Sequence, residues 1–157
     1  MLNIETENEY YHIVEEYSDM IFRIAYQHLF NSEDAKDVVQ DVFVKLLKQK
    51  NGSFQDYEHL KAWLIKVTIN QCHDYKKLFF RKKTVPLEDL EIPYEQEERK
   101  VMEELYQLPK DYRDILYLHY YEGYTIKEIA KILGKKQNTV NSKLTRGRNR
   151  LKKILEG

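Results

Sequence analysis

The chain is predicted to be all-α: two small helical domains joined by a flexible acidic linker, the second of them a helix-turn-helix. Three observations carry that prediction. Only 5 glycines and 3 prolines punctuate 157 residues, so long stretches run without a breaker. Apolar residues recur at helical spacing through most of the chain. That periodicity fails over 84–98, which holds Pro86, Pro93 and the acids Glu88, Asp89, Glu91, Glu95, Glu97 and Glu98 without a basic residue. A stretch of that composition cannot bury a core and reads as an extended tether. The domains are therefore expected at 1–83 and 99–157.

A first helix is expected from Tyr10 to Leu29, with Ile13, Tyr17, Met20, Ile21, Ile24 and His28 near one face. Asn31-Ser32 breaks it, and Ser32 with Glu33 and Asp34 opens a second, its acids at the positive end of the helix dipole. That helix should run to about Lys50. Ala35, Val38, Val39, Val42, Phe43, Leu46 and Leu47 form its apolar side, and Asp37, Gln40, Asp41 and Lys45 its polar side. After Asn51-Gly52-Ser53 and a loop of Phe54-Gln55-Asp56-Tyr57-Glu58, a third helix is expected from near His59. It passes through Leu60, Trp63, Leu64, Val67, Asn70 and Cys72 to Tyr75-Lys76-Lys77, then into Leu78-Phe79-Phe80-Arg81-Lys82-Lys83. Rings interleaved with cations suit single-stranded nucleic acid, because bases stack on the rings while the cations track phosphates. Trp63 lies on the apolar stripe and reads as core.

Beyond the linker, helical pattern returns with Val101, Leu105 and Leu108, stops at Pro109, and resumes through Ile115, Leu116, Leu118 and His119 before Gly123. Thr125 and Glu128 then form a capping box. Ile126, Ile129, Ala130 and Leu133 follow at helical spacing, and Gly134 can take the left-handed stop. After Lys135-Lys136-Gln137, Asn138 is expected to cap a second helix whose stripe is Val140, Leu144, Leu151 and Leu155, with small Ala130 at the crossing. From Lys135 to Lys153 stand Lys135, Lys136, Lys143, Arg146, Arg148, Arg150, Lys152 and Lys153, with no acid among them. Thr139, Asn141, Ser142 and Thr145 offer short polar groups for base edges or phosphates. The forks of Arg146 and Arg148 match guanine or phosphate.

Composition bounds the rest. Basic and acidic residues balance at 26 each, yet the first twenty residues hold Glu5, Glu7, Glu9, Glu15, Glu16 and Asp19 with no Lys or Arg. That asymmetry points to separate surfaces for separate partners. The lone Cys72 excludes an intrachain disulfide and fits a reducing compartment. An acidic N-terminus argues against a secretory signal, and no apolar run approaches the roughly 20 residues that span a bilayer. A cytoplasmic protein is expected. His12, His28, His59, His73, His119 and Cys72 show no metal-type spacing, and no nucleophile–base pair or phosphate-cradling glycine loop is present. No catalytic residue, metal, cofactor or small-molecule substrate is expected.

In this order the chain resembles an extracytoplasmic-function (ECF) sigma factor of the sigma-70 family, a compact initiation subunit of bacterial RNA polymerase. Asp37-Val-Val-Gln-Asp-Val-Phe-Val-Lys-Leu-Leu47, Ala62-Trp-Leu-Ile-Lys-Val-Thr-Ile-Asn70 and Asp74-Tyr-Lys-Lys77 are similar to the family's region 2. Leu108-Pro-Lys-Asp-Tyr-Arg113, Tyr121-Glu-Gly-Tyr-Thr125, Glu128-Ile-Ala130, Leu133-Gly134, Thr139-Val140 and Arg146-Gly-Arg148 are similar to region 4. The resemblance implies that Asp37, Gln40 and Asp41 dock on the β′ clamp helices of core RNA polymerase. Phe43 stands at a matching position, although its own pattern suits the core equally. It implies that the third helix and the loop before it, with Phe54, Tyr57, Asn70, Lys76 and Lys77, read the −10 element. There a flipped base is captured, at a cost of a few kcal/mol that contacts must offset. The acidic linker resembles the segment that threads toward the polymerase active centre.

The last helix would enter the major groove of the −35 element through Thr139, Asn141, Ser142, Thr145, Arg146 and Arg148. Asn141 replaces a basic residue common in the family and Thr145 a larger ring, so a different or more A/T-tolerant preference is expected; Asn138 stands where the family usually has glycine, which is compatible with an N-cap. Family members are mostly held inactive by an anti-sigma factor, often membrane-anchored. The rival reading is a stand-alone helix-turn-helix regulator acting as a dimer, which leaves the first eighty residues without a role.

Overall fold

The computed structural model describes residues 2–49, 53–78 and 103–156. The expected tether over 84–98 and the mixed aromatic and basic run over 79–83 lie outside the described residues. The chain divides into two compact units, Met1–Val85 and Pro86–Gly157, each helical.

In the first unit, helix α1 spans Glu7–Leu29. It starts three residues before the expected Tyr10 because Thr6 and Glu9 form a capping box. Thr6 Oγ1 accepts from the Glu9 amide at 3.1 Å, and the Glu9 carboxylate accepts from the amides of Glu5 and Thr6. Phe30 closes α1 in the left-handed conformation, φ 51°, and its N–H returns to the Tyr26 carbonyl. Asn31 rather than Ser32 caps α2 (Ser32–Lys48), accepting from the Asp34 amide at 3.0 Å. Helix α3 spans Tyr57–Leu78, earlier than the expected His59, because Asp56 Oδ1 takes the His59 amide at 2.8 Å. All three helices pack against one another. Between them lie Ile13, Ile21, Ile24, Val38, Val42, Leu60, Leu64 and Ile65, essentially inaccessible to water. Each such side chain gains about 1.5–3 kcal/mol on leaving water. Leu47, counted with the apolar side of α2, is exposed instead. A short antiparallel pairing joins β1 (Leu2–Asn3) to β2 (Ser53–Phe54), Leu2 opposite Phe54 and Asn3 opposite Ser53. It ties the N-terminal residues to the loop that enters α3.

The described residues of the second unit start with helix over 103–106, and Leu105 and Leu108 are buried. Pro109 precedes α4 (Lys110–Leu116), where a missing N–H costs nothing. Helix α4 continues as a π-helical turn over Tyr117–Tyr121 and ends before Gly123 at φ 77°. Helix α5 (Ile126–Leu133) carries the anticipated capping box, the Thr125 hydroxyl and Glu128 carboxylate each accepting the other's amide. Gly134 takes the left-handed stop at φ 66°, and the Lys135 N–H closes the turn on the Ala130 carbonyl at 2.9 Å. Helix α6 runs Gln137–Glu156, so Asn138 sits inside its first turn and does not cap it. Val140, Leu144 and Gly147 are buried and Leu151 half-buried. Ile154 continues the inward line at i+3, and Leu155, assigned to that line from sequence, is exposed.

Candidate nucleic-acid interface

Helix α6 presents two chemically opposite sides. Its inward line is fixed by packing, α4 and α5 both lying against it. Gly147 sets the closeness of that contact. A Cβ there would fall 3.3 Å from both Leu116 Cδ1 and Tyr112 Cβ. With the inward line seated, Asn138, Ser142, Thr145 and Asn149 face away from the body, and all are exposed. Thr139 and Arg146 flank that outward line on one side, Asn141 and Arg148 on the other, and all four are exposed. The six residues singled out from sequence on this helix therefore share its accessible surface. Asn149, at the centre of the outward line and exposed, was not among the residues singled out from sequence.

Not every cation of the helix is available. Lys143 turns toward the body and pairs with Asp111 Oδ2 at 3.1 Å. Partial burial works against the charged form of Asp111, but the Lys143 hydrogen bond and the charges of Lys143, Lys135 and Lys110 prevail and lower its pKa. Arg148 and Arg150 instead lie over rings, 5.8 Å from the centroid of Tyr120 and 5.0 Å from that of Tyr112.

In the first unit, Asp37, Gln40 and Asp41 are exposed on one side of α2, and α3 braces that side. The Tyr75 hydroxyl reaches Asp34 Oδ1 at 2.8 Å and Asp37 Oδ2 at 3.0 Å, its one proton serving both. The Gln71 amide donates to Asp41 Oδ2 at 3.3 Å and its oxygen accepts from Lys45 Nζ. Sequence reading missed both braces, since contacts between residues 26 to 41 apart leave no periodic trace.

Two expected site residues are buried within the first unit. Phe43 is 5% exposed, its ring edge-on to Tyr10 at 6.4 Å and its carbonyl accepting the Tyr10 hydroxyl. Its apolar spacing suits the core position it occupies. Phe54 is 2% exposed, its ring edge-to-face with His59 and Trp63 at 5.3 and 5.6 Å. It anchors the loop through those ring contacts. Tyr57, by contrast, is 48% exposed, and Asn70 is exposed on α3. Lys76 and Lys77 belong to the last turn of α3, and their side chains lie outside the described residues.

The molecule thus pairs a helix-turn-helix suited to duplex DNA with a separate three-helix unit that carries a braced acidic surface. Residues 13–83 match the family Sigma-70 region 2 and residues 98–151 the family Sigma-70, region 4. Among curated relatives, RNA polymerase sigma factor SigV of Bacillus subtilis is 28% identical over 80% of this chain and 78% of its own length. ECF RNA polymerase sigma factor SigE of Mycolicibacterium smegmatis is 28% identical over 91% of this chain and 60% of its own. ECF RNA polymerase sigma factor SigM of Mycobacterium tuberculosis is 31% identical over 79% of this chain and 65% of its own. The fold is that of sigma factor RpoE from Bartonella quintana, solved with the anti-sigma factor NepR, at TM-score 0.79 and 20% identity over 94% of this chain and 97% of that one. It is also that of CnrH, solved with the cytosolic domain of CnrY, at TM-score 0.72 and 23% identity over 96% and 90%. The chain belongs to the sigma-70 family of RNA polymerase sigma factors, within its ECF group. Sigma factors are non-catalytic subunits that bring core RNA polymerase to promoter DNA.

Proposed function

We propose that the two units divide promoter recognition between them. Helix α6 lies in the major groove of the −35 element, with Ser142, Thr145, Asn141 and Thr139 at base edges and Arg146 and Arg148 at guanine or phosphate. The first unit docks on the β′ clamp helices through Asp37, Gln40 and Asp41, and reads the opened −10 element with Tyr57, Asn70, Lys76 and Lys77. Phe43 and Phe54 support those surfaces from beneath. The stretch 84–98 joins the two modules. The observation that carries the reading is the outward side of α6, wholly polar and basic opposite a buried apolar line.

A helix-turn-helix regulator working without polymerase is not favoured, because it gives the residues matching region 2 no task. A sigma factor similar in fold has been solved bound to an anti-sigma factor, and a partner of that kind is part of this proposal, as is action in the cytoplasm. Among the described residues no helix is long and apolar enough to cross a membrane.

The test is reconstitution. The full chain with core RNA polymerase should start transcripts from a limited set of promoters sharing −35 and −10 motifs, recovered by mapping transcript starts. DNA binding with no effect on polymerase start sites would overturn the reading.

A further inference from the structure

Arg148 and Arg150 stand two positions apart on α6, so with 3.6 residues per turn they leave the helix on different sides. The inward residues Gly147 and Leu151 separate them, which puts one guanidinium on each rim, where the helix meets its own body. Each rim carries a tyrosine. Tyr120, on the π-helical turn and 57% exposed, lies under Arg148, and Tyr112, on α4, lies under Arg150. Tyr120 is itself held in place: the His119 ring meets it edge-on at 4.8 Å, and His119 Nδ1 donates to the Tyr124 carbonyl at 2.8 Å. On the other rim, Gly147 lets the helix settle against Tyr112 Cβ.

We propose that Tyr112 and Tyr120 are positioning residues that hold Arg150 and Arg148 as two phosphate clamps, one on each side of the recognition helix. The proposal rests on reading α6 as the duplex-binding helix. A helix with its side chains is about 10–12 Å across and the major groove about 12 Å wide. Long cations on the rims beside the body, as Arg148 and Arg150 are, therefore reach the phosphate walls, while shorter side chains nearer the outward line meet base edges. The manner of holding matters. Asp111 holds Lys143 by neutralising it, whereas an aromatic face fixes a cation and leaves its charge intact for a phosphate. An arginine already stacked also surrenders less rotamer freedom on binding.

The experiment is a salt titration of the full chain against a fluorescent mixed-sequence DNA duplex, since phosphate contacts are independent of sequence. Arg148→Ala and Arg150→Ala should each reduce the slope of log affinity against log salt by about one. Tyr120→Leu should weaken binding about two- to five-fold with the slope retained, and Tyr120→Phe should restore it, because the ring and not the hydroxyl is used. Unchanged thermal unfolding by circular dichroism separates these effects from loss of fold, and both arginines are surface residues. If the unaltered chain does not bind the duplex, the reading of α6 fails and the clamps with it. If it binds but the arginine variants keep the full slope, or Tyr120→Phe is as weak as Tyr120→Leu, the clamp proposal alone is overturned.

Discussion

At the scale of single residues, burial separates support from contact. Phe43 and Phe54 to Ala should each cost about 3–5 kcal/mol of stability, measured by denaturant unfolding. Gln40→Ala with Asp41→Ala should stay within about 0.5 kcal/mol of the parent while lowering affinity for core polymerase. Unchanged polymerase binding in that double variant would misplace the docking surface. Gly147→Leu should destabilise the second unit by about 1–3 kcal/mol through overpacking against Tyr112 and Leu116. Asp111 titrates below the ordinary carboxylate range when folded. Its pairing with Lys143 therefore adds stability above the unfolded-state pKa, and the gain is lost as pH falls through the folded one. For so exposed a pair the gain is about 0.2–1 kcal/mol, and Asp111→Asn should flatten that part of the acid-unfolding curve. Residue types made Ser142 and Thr145 on the outward line of α6 legible in advance. They were silent on Gly147, whose value lies in what a side chain would strike.

Among elements, the helix ends decide where each segment starts. Thr125 with Glu128 was readable because the capping box is a local pattern; Thr6 with Glu9 has the same spacing, and its helix start was placed three residues late. Thr125→Ala should cost the second unit about 1 kcal/mol and leave the first unit's unfolding unchanged, which unit-resolved hydrogen exchange can check. Among the described residues, periodicity located every long helix because core-facing residues must recur at 3.6. It gave no warning of the π-helical turn at Tyr117–Tyr121, where the chain widens by hydrogen-bond choice while its apolar pattern continues. Nor did it reveal the β1–β2 pairing, since two residues are too few to show alternation.

The whole molecule has two compact units, and on the proposed division of promoter recognition a change in each should impair its own contacts. Arg146→Ala should weaken transcription that depends on the −35 element, while Asn70→Ala should slow strand opening more than it weakens duplex binding, as permanganate footprinting of the melted region would report. If Asn70→Ala instead impaired closed-complex formation alone, its role at the opened strand is wrong. The division into units was legible from one failure of periodicity, and the family from motif order. How α2 and α3 are joined was not, because Tyr75 meets Asp34 and Asp37 across some forty residues of chain. That junction has a genetic consequence. Tyr75 is buried and presents itself to neither polymerase nor DNA, yet Tyr75→Phe deprives two carboxylates of one donor, at about 1.5–3 kcal/mol. A screen for impaired core binding and a separate screen for impaired melting should both return Tyr75, and suppressors of either defect should collect at 34 and 37.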